Sequence, residues 1–141
     1  MKYEKGEIKV VVYDEQGNKA GEKTVKTAGK PAKLQLTADR STIAADGCDL
    51  AFITVSLTDK NGTLCPDADH QLEFTVTGAA SFNSVCNGDA TSLEVFTEPT
   101  MKLFHGQLVV VVQASTAPGK ATLSVRDKST GIRASLPITV K

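Results

Sequence analysis

The chain has 141 residues, of which 40% are hydrophobic, with 16 basic against 16 acidic side chains and no Trp. A chain of this length suits one domain, or one domain with part of another. The zero net charge, without any block of Lys or Arg, argues against a sequence-independent grip on nucleic acid. Since no apolar run approaches the roughly 18 residues of a membrane-spanning helix, we expect no membrane span.

Residues 1–30 predict a β-hairpin followed by a short linker. Residues 7–13 alternate in polarity, a polar turn follows, and residues 19–27 return as a second strand. The apolar side chains of the first strand share one side: Ile8, Val10 and Val12. Two strands cannot cover the apolar face that they create. We therefore expect the hairpin to dock on the rest of the chain or on the hairpin of a second copy.

Residues 31–141 predict about seven strands and no helix, because turn residues recur at short intervals between runs that alternate in polarity. The clearest run places its apolar residues on one face: Ala51, Ile53, Val55 and Leu57. The other predicted strands are 33–38, 71–77, 80–86, 106–115, 121–126 and 133–140. This number and spacing are typical of an all-β, immunoglobulin-like antiparallel sandwich. Its aliphatic core should let this part of the chain fold alone.

Three segments depart from simple alternation. Residues 106–115 are apolar on both faces, which predicts a strand covered on both sides. Residues 92–104 surround Pro99 and predict irregular or edge structure. Pro137 cannot donate to a ladder, so the last strand should lie at a sheet edge with that position facing outward.

Acidic and amide side chains are concentrated in the predicted turns: Asp59, Asp67, Asp69, Asp89, Asn61 and Asn87. Two such loops could supply the oxygen ligands that calcium prefers, and paired carboxylates could act on a glycosidic bond. The sequence holds no complete calcium-loop motif, and polar turns keep every carboxylate ionised alike. We favour ordinary turns, and expect no metal, no cofactor and no catalytic residue.

His70 and His105 stand alone, without a nearby Ser or Cys in a nucleophile setting. We interpret both as surface or turn residues. Cys48, Cys65 and Cys86 match no metal-binding spacing and cannot all pair within one chain. Three unpaired thiols are favoured over a disulfide between Cys65 and Cys86.

Several stretches resemble a known family: residues 36–47, 59–62, 66–69, 74–78 and 87–92. Together they look like the C-terminal immunoglobulin-like domain of bacterial glycoside hydrolase family 2 β-galactosidases. The most specific stretch is Asn-Gly-Asp-Ala-Thr-Ser at 87–92, although Ala90 stands where the family often has Pro. The three cysteines also occupy loop positions where the family more often has other residues. The hairpin is similar to the end of the immunoglobulin-like domain that precedes this one in those enzymes, which places a domain boundary between residues 30 and 31.

The resemblance implies that catalysis belongs to a barrel domain outside this chain. It suggests a non-catalytic accessory domain that packs against other domains of a periplasmic or extracellular enzyme. The first residues carry no apolar secretion segment, so a cytosolic protein and a piece of an exported chain remain alternatives, of which we favour the second. Two other functions stay open: a carbohydrate-binding module, supported weakly if Phe96 and Phe104 are exposed together, and an adhesin-type spacer repeat.

Overall fold

The structure is a computed structural model and describes residues 4–141. Its strands are β1 Glu7–Tyr13, β2 Lys19–Lys26, β3 Lys33–Ala38, β4 Thr42–Ile43, β5 Leu50–Thr58, β6 Gln71–Gly78, β7 Ala80–Cys86, β8 Thr100–Lys102, β9 Gln107–Ala114, β10 Gly119–Asp127 and β11 Arg133–Val140. Within the described range, no helix has the length and apolar character needed to cross a membrane.

Strands β3 to β11 form two packed sheets. One sheet has the order β4-β11-β10-β6-β8 and the other β3-β5-β9-β7. All pairs are antiparallel except β4 with β11. The prediction of an all-β sandwich preceded by a hairpin is confirmed: the longer strands lie where alternation placed them, and the short β4 and β8 are additions at the edges.

The core lies between the inner faces of the two sheets. In β5 every second side chain is fully buried: Ala51, Ile53, Val55 and Leu57. Their neighbours across the ladder in β9 are buried as well, with Ile53 opposite Val110 and Val55 opposite Leu108. Each side chain of this kind contributes roughly 1.5–3 kcal/mol by leaving water. The period of two therefore supplies the main stabilisation of the sandwich.

The outer face of β9 differs from the expectation. Val109 and Val111 are only half-buried, so the prediction that this strand is covered on both sides is wrong. Val111 lies opposite Phe52 of β5, whose side chain is itself largely exposed. Neighbouring side chains of the same sheet thus cover part of the outer face of β9, in place of a further layer of secondary structure.

Of two sequence-based expectations about edges, the one for residues 92–104 is confirmed and the one for the last strand holds only in part, because the short β4 lies outside β11. Strand β4 pairs with β11 only at Thr139 and Val140, and the Thr139 amide donates to the Ser41 carbonyl on that side at 2.9 Å. Pro137, two residues earlier, has the same orientation and faces the open edge, where no donor is needed. The segment around Pro99 is irregular before the edge strand β8.

The hairpin has two unlike faces. One face carries ion pairs, with Nζ of Lys9 2.8 Å from the Glu22 carboxylate and Nζ of Lys26 3.2 Å from the Glu7 carboxylate. The opposite face carries side chains that are more than half exposed: Ile8, Val10, Val12 and Val25. The prediction that this apolar strip docks on the rest of the chain is therefore wrong for the described residues. The open end of the hairpin lies beside the sandwich, and the strip stays exposed among the described residues.

Replacing a buried and an exposed leucine by alanine tests which residues form the core. We expect Leu57→Ala to lower the free energy of unfolding by about 2–5 kcal/mol, because the fully buried side chain leaves a cavity between the sheets. Leu93→Ala, at a side chain that is 97% exposed, should change it by less than about 0.5 kcal/mol. Urea unfolding of both variants measures the difference, and equal effects would contradict the assigned core.

Candidate functional site

Asp59 lies directly after β5, and its carboxylate is occupied by backbone amides. Oδ1 accepts from the amides of Asn61 at 2.8 Å and Thr63 at 2.9 Å, while Oδ2 accepts from the Gly29 amide at 2.9 Å. The side chain is buried. Hydrogen bonds from the Gly29 and Thr63 amides hold the pKa of Asp59 below its ordinary value. This carboxylate stays ionised and accepts hydrogen bonds from backbone amides.

The other acidic turn residues do not join it. Oδ1 of Asp89 accepts from the Thr91 hydroxyl at 2.7 Å and the Thr91 amide at 2.9 Å, and these bonds lower the pKa of Asp89. Asp67 and Asp69 are exposed. Within residues 4–141, no three His, Cys, Asp or Glu side chains are placed to hold a metal ion together. The structure therefore does not bring the calcium candidates into one cluster.

A buried pair that the sequence did not indicate joins His70 to Asp127. Nδ1 of His70 lies 2.7 Å from Oδ2 of Asp127, whose side chain is completely buried at the end of β10. Thr130 donates its hydroxyl to the same oxygen at 2.6 Å, and the Ser129 amide donates to Oδ1 at 2.8 Å. Burial raises the pKa of Asp127, but the hydrogen bonds from Thr130, His70 and Ser129 outweigh it and lower the pKa overall. The pair fixes the turn between β10 and β11 against the start of β6.

His105 is a turn residue, as the sequence suggested. Its backbone has φ of 51°, and the residues on either side of the turn, Phe104 and Gln107, exchange backbone hydrogen bonds of 3.0 and 3.1 Å. The Phe104 ring centroid lies 4.2 Å from that of His105. Phe96 and Phe104 are both partly exposed, but within the described chain their rings do not stack on each other. The ring contact of Phe104 in the described chain is thus with His105 of its own turn.

The loop before β8 presents three exposed apolar side chains: Leu93, Val95 and Phe96. The loop is firmly anchored, because both carboxylate oxygens of Glu94 accept from the Lys102 amide, at 3.1 and 3.2 Å. The Phe96 carbonyl accepts from the Val85 amide at 2.8 Å. Apolar side chains on an anchored loop are typical of a surface that another molecule or domain covers.

A groove of about 780 Å³ runs between the open end of the hairpin and the sandwich. Four lysines line it: Lys5, Lys26, Lys30 and Lys60. Its acidic members are already engaged, since Glu7 pairs with Lys26 and Asp59 accepts from backbone amides. The groove marks the junction at which the linker crosses the end of β5.

All three thiols are unpaired, which confirms the sequence-based interpretation. Cys48 and Cys86 are exposed, whereas Cys65 is buried near the junction. Burial raises the pKa of the Cys65 thiol, and the Asp59 carboxylate raises it further. Cys65 is thus a protonated, inaccessible thiol at neutral pH.

The fold is an immunoglobulin-like β-sandwich, and comparison with known proteins assigns its family. Residues 34–133 match the model for glycoside hydrolase family 2 C-terminal domain 5, and the chain belongs to this family. The resemblance seen in the sequence is confirmed.

Two curated relatives are β-galactosidases. β-Galactosidase BoGH2A of Bacteroides ovatus is 45% identical over 133 residues, which are 94% of this chain and 15% of the relative. The β-galactosidase of Thermoanaerobacter pseudethanolicus is 27% identical over 82% of this chain and 16% of its own length. The chain therefore spans less than a fifth of the curated relatives that it matches.

Solved structures agree with this assignment. A glycosyl hydrolase family 2 member from Bacteroides cellulosilyticus has a TM-score of 0.93 and 33% identity, over 100% of this chain and 18% of that one. A β-glycosidase from Bacteroides vulgatus has a TM-score of 0.90 and 29% identity, over 98% of this chain and 18% of that one. The D00-D0 domain of intimin has a TM-score of 0.57 at 18% identity, which shows a shared fold alone.

Removing the buried carboxylate tests the role of the His70–Asp127 pair. We expect Asp127→Ala to lower the free energy of unfolding at neutral pH by about 1–3 kcal/mol, because several buried donors lose their acceptor. Asp67→Ala removes an exposed carboxylate from another turn and should cost less than about 0.5 kcal/mol. Similar costs for the two variants in urea unfolding would contradict a special role for Asp127.

The contribution of Asp127 to the free energy of unfolding should decrease as the pH falls. Its pKa in the folded protein lies below the ordinary value of 3.8, so its contribution is present above that value and is lost as the pH falls through the folded pKa. The stability difference between the parent chain and Asp127→Asn should therefore shrink between about pH 5 and pH 2. A difference that stays constant over this range, measured by urea unfolding, would contradict the assignment.

Proposed function

We propose that this chain is a non-catalytic accessory domain of a larger β-galactosidase-like enzyme, and that it packs against the other domains of that enzyme. Its family membership and its small share of the relatives' length support this proposal. The observation that carries it is a pair of well-ordered apolar surfaces that the chain itself leaves uncovered. They are the strip on the hairpin and the anchored loop before β8.

The hairpin supports a division of the chain into residues 1–30 and residues 31–141. In this proposal the hairpin completes a preceding immunoglobulin-like domain, whose remaining strands cover the strip formed by Ile8, Val10, Val12 and Val25. Its ion-paired face then looks toward solvent, where such pairs cost nothing to leave exposed. The structural match at a TM-score of 0.93 includes the whole chain, hairpin and sandwich together. The parent enzyme would act in the periplasm or outside the cell.

The loop before β8 would serve as the second packing surface. Leu93 is almost fully exposed, although Glu94 beside it is fixed by two hydrogen bonds to Lys102. A mobile loop would lose conformational entropy on docking, whereas an anchored loop has already lost it. This geometry favours a permanent contact with a neighbouring domain.

An activity assay tests the non-catalytic role directly. We expect the isolated chain to hydrolyse a chromogenic β-galactoside no faster than a mock purification, because its buried carboxylates, Asp59 and Asp127, already accept hydrogen bonds within the fold and do not face each other across a cleft. A complete β-galactosidase run in parallel supplies the positive control. Turnover that follows the purified chain through successive columns would overturn the proposal.

The uncovered strip should make the isolated chain self-associate through its hairpin. The double variant Ile8→Thr with Val10→Thr should lower the weight-average mass at high concentration toward that of the monomer, because the strip becomes polar while β-branched side chains keep the strand. Val11→Thr alters the opposite face of the same strand and should leave the mass unchanged. Light scattering over a concentration series measures the masses, and equal behaviour of the two variants would contradict a contact through the strip.

A further inference from the structure

The linker between hairpin and sandwich is held on both sides of one residue, Gly29. The Gly29 amide donates to Oδ2 of Asp59 at 2.9 Å, and the Cys65 thiol, the donor nearest the Gly29 carbonyl, lies 3.7 Å from that oxygen and 3.9 Å from the Thr63 carbonyl. Both side chains belong to the sandwich, and both are almost completely buried, with 3% and 5% of their surface exposed. The sandwich thus binds both polar backbone groups of a single linker residue.

Asp59 is fixed by its own turn before it reaches the linker. Oδ1 accepts from the amides of Asn61 and Thr63, and the Asp59 backbone amide donates to the Thr63 carbonyl at 2.9 Å. The turn depends on Gly62, whose φ of 84° is readily adopted only by glycine. This arrangement leaves Oδ2 as the one carboxylate oxygen directed at the linker. A hydrogen bond from an amide to an ionised carboxylate is stronger than one between neutral groups.

The fit at Gly29 leaves little room for a side chain. A Cβ atom added there would lie 3.3 Å from Oδ2 and 3.5 Å from Cβ of Asp59. The linker is also held on either side of this residue, because Ala28 packs against the core and the Ala32 amide donates to the Thr58 carbonyl at 2.8 Å. Residues 28–32 are therefore a linker that contacts at several points hold against the sandwich.

We propose that Asp59 and Cys65 form a latch on Gly29 which sets the direction in which the hairpin leaves the sandwich. The latch is a conformational device of this chain alone, so it does not depend on the proposed packing function. With the latch closed, the hairpin and any domain that it completes keep one orientation relative to the sandwich. With the latch open, residues 28–32 keep only their flanking contacts, and the hairpin can swing.

The distance between two spin labels tests the latch. One label is attached to the native exposed Cys86 and the other to Thr24→Cys, on the hairpin face opposite the apolar strip, in a chain that carries Cys48→Ser, retains the buried Cys65 and is diluted with unlabelled chain. The parent chain should give one narrow distance distribution. Asp59→Asn keeps an acceptor for the turn but directs an amide NH₂ group at the Gly29 donor. It should widen the distribution about twofold or more.

Two further variants make the result specific. Gly29→Ala leaves the Asp59 charge in place but brings a methyl group to about 3.3 Å from Oδ2, so it should widen the distribution as well, in preparations that mass spectrometry shows to carry only two labels and a free Cys65 thiol. Asp46→Asn removes a charge from another turn, where Oδ1 accepts from the amides of Cys48 and Asp49, and it should leave the distribution narrow. A cooperative urea transition in each variant verifies that the sandwich remains folded. Narrow, unshifted distributions for both Asp59→Asn and Gly29→Ala would overturn the latch.

The reactivity of Cys65 gives a second readout. In a chain with Cys48→Ser and Cys86→Ser, the only thiol belongs to the latch. Gly29→Ala should raise its rate of reaction with a maleimide about tenfold or more, because the linker no longer shields the sulfur. This variant keeps the Asp59 charge, so a faster reaction reports access to the thiol. An unchanged rate would remove Cys65 from the latch.

Discussion

Burial of one face of each strand is the constraint on which the rest of this structure depends. The chain has no Trp, so its core relies on small and medium aliphatic side chains that must interdigitate between two sheets. Strands β5 and β9 supply fully buried side chains to that layer, where Ile53 faces Val110 across the ladder. The buried side chains of this core are almost all apolar and offer few groups for chemistry. Features with a functional meaning therefore lie at strand ends, in loops and at the junction with the hairpin.

The uncovered apolar surfaces follow from the same constraint. The exposed side chains of Val10 and Leu93 do not contribute to the core of the sandwich, yet hydrogen bonds fix the backbone around both residues. The hairpin ladder fixes the first, and the hydrogen bonds of Glu94 fix the second. Fixing a segment of chain costs conformational entropy, and an exposed apolar side chain gains no burial to offset it. Such surfaces are therefore expected where another part of a larger polypeptide covers them.

The sequence predicted what depends on local period and local stereochemistry. The alternation in β5, the outward position of Pro137 and the two faces of the hairpin were all visible because each rests on neighbouring residues. The His70–Asp127 pair was not visible, since its members lie 57 residues apart and each looks like an ordinary turn residue. Five Val and Leu residues in succession likewise conceal which face of β9 is inside, because an apolar run has no period to read.

The acidic residues show which contacts cannot be predicted from neighbouring residues in the sequence. Three aspartates end a strand in the same way: Asp14, Asp59 and Asp127. In each turn Oδ1 accepts two backbone amides, and a glycine three or four residues later donates to the aspartate carbonyl. The sequence predicted turns at these positions, whereas the structure shows that the second oxygen, Oδ2, differs in its partner from one aspartate to the next.

Oδ2 of Asp14 stays within its own turn and bonds the Asn18 side chain. The corresponding oxygen of Asp59 reaches Gly29 in the linker, and that of Asp127 reaches His70. The same kind of turn thus provides a second carboxylate oxygen at a fixed position after a strand, in the hairpin for Asp14 and in the sandwich for Asp59 and Asp127. Whether that acceptor serves the turn, the core or a neighbouring segment depends only on which donor the fold places 3 Å away.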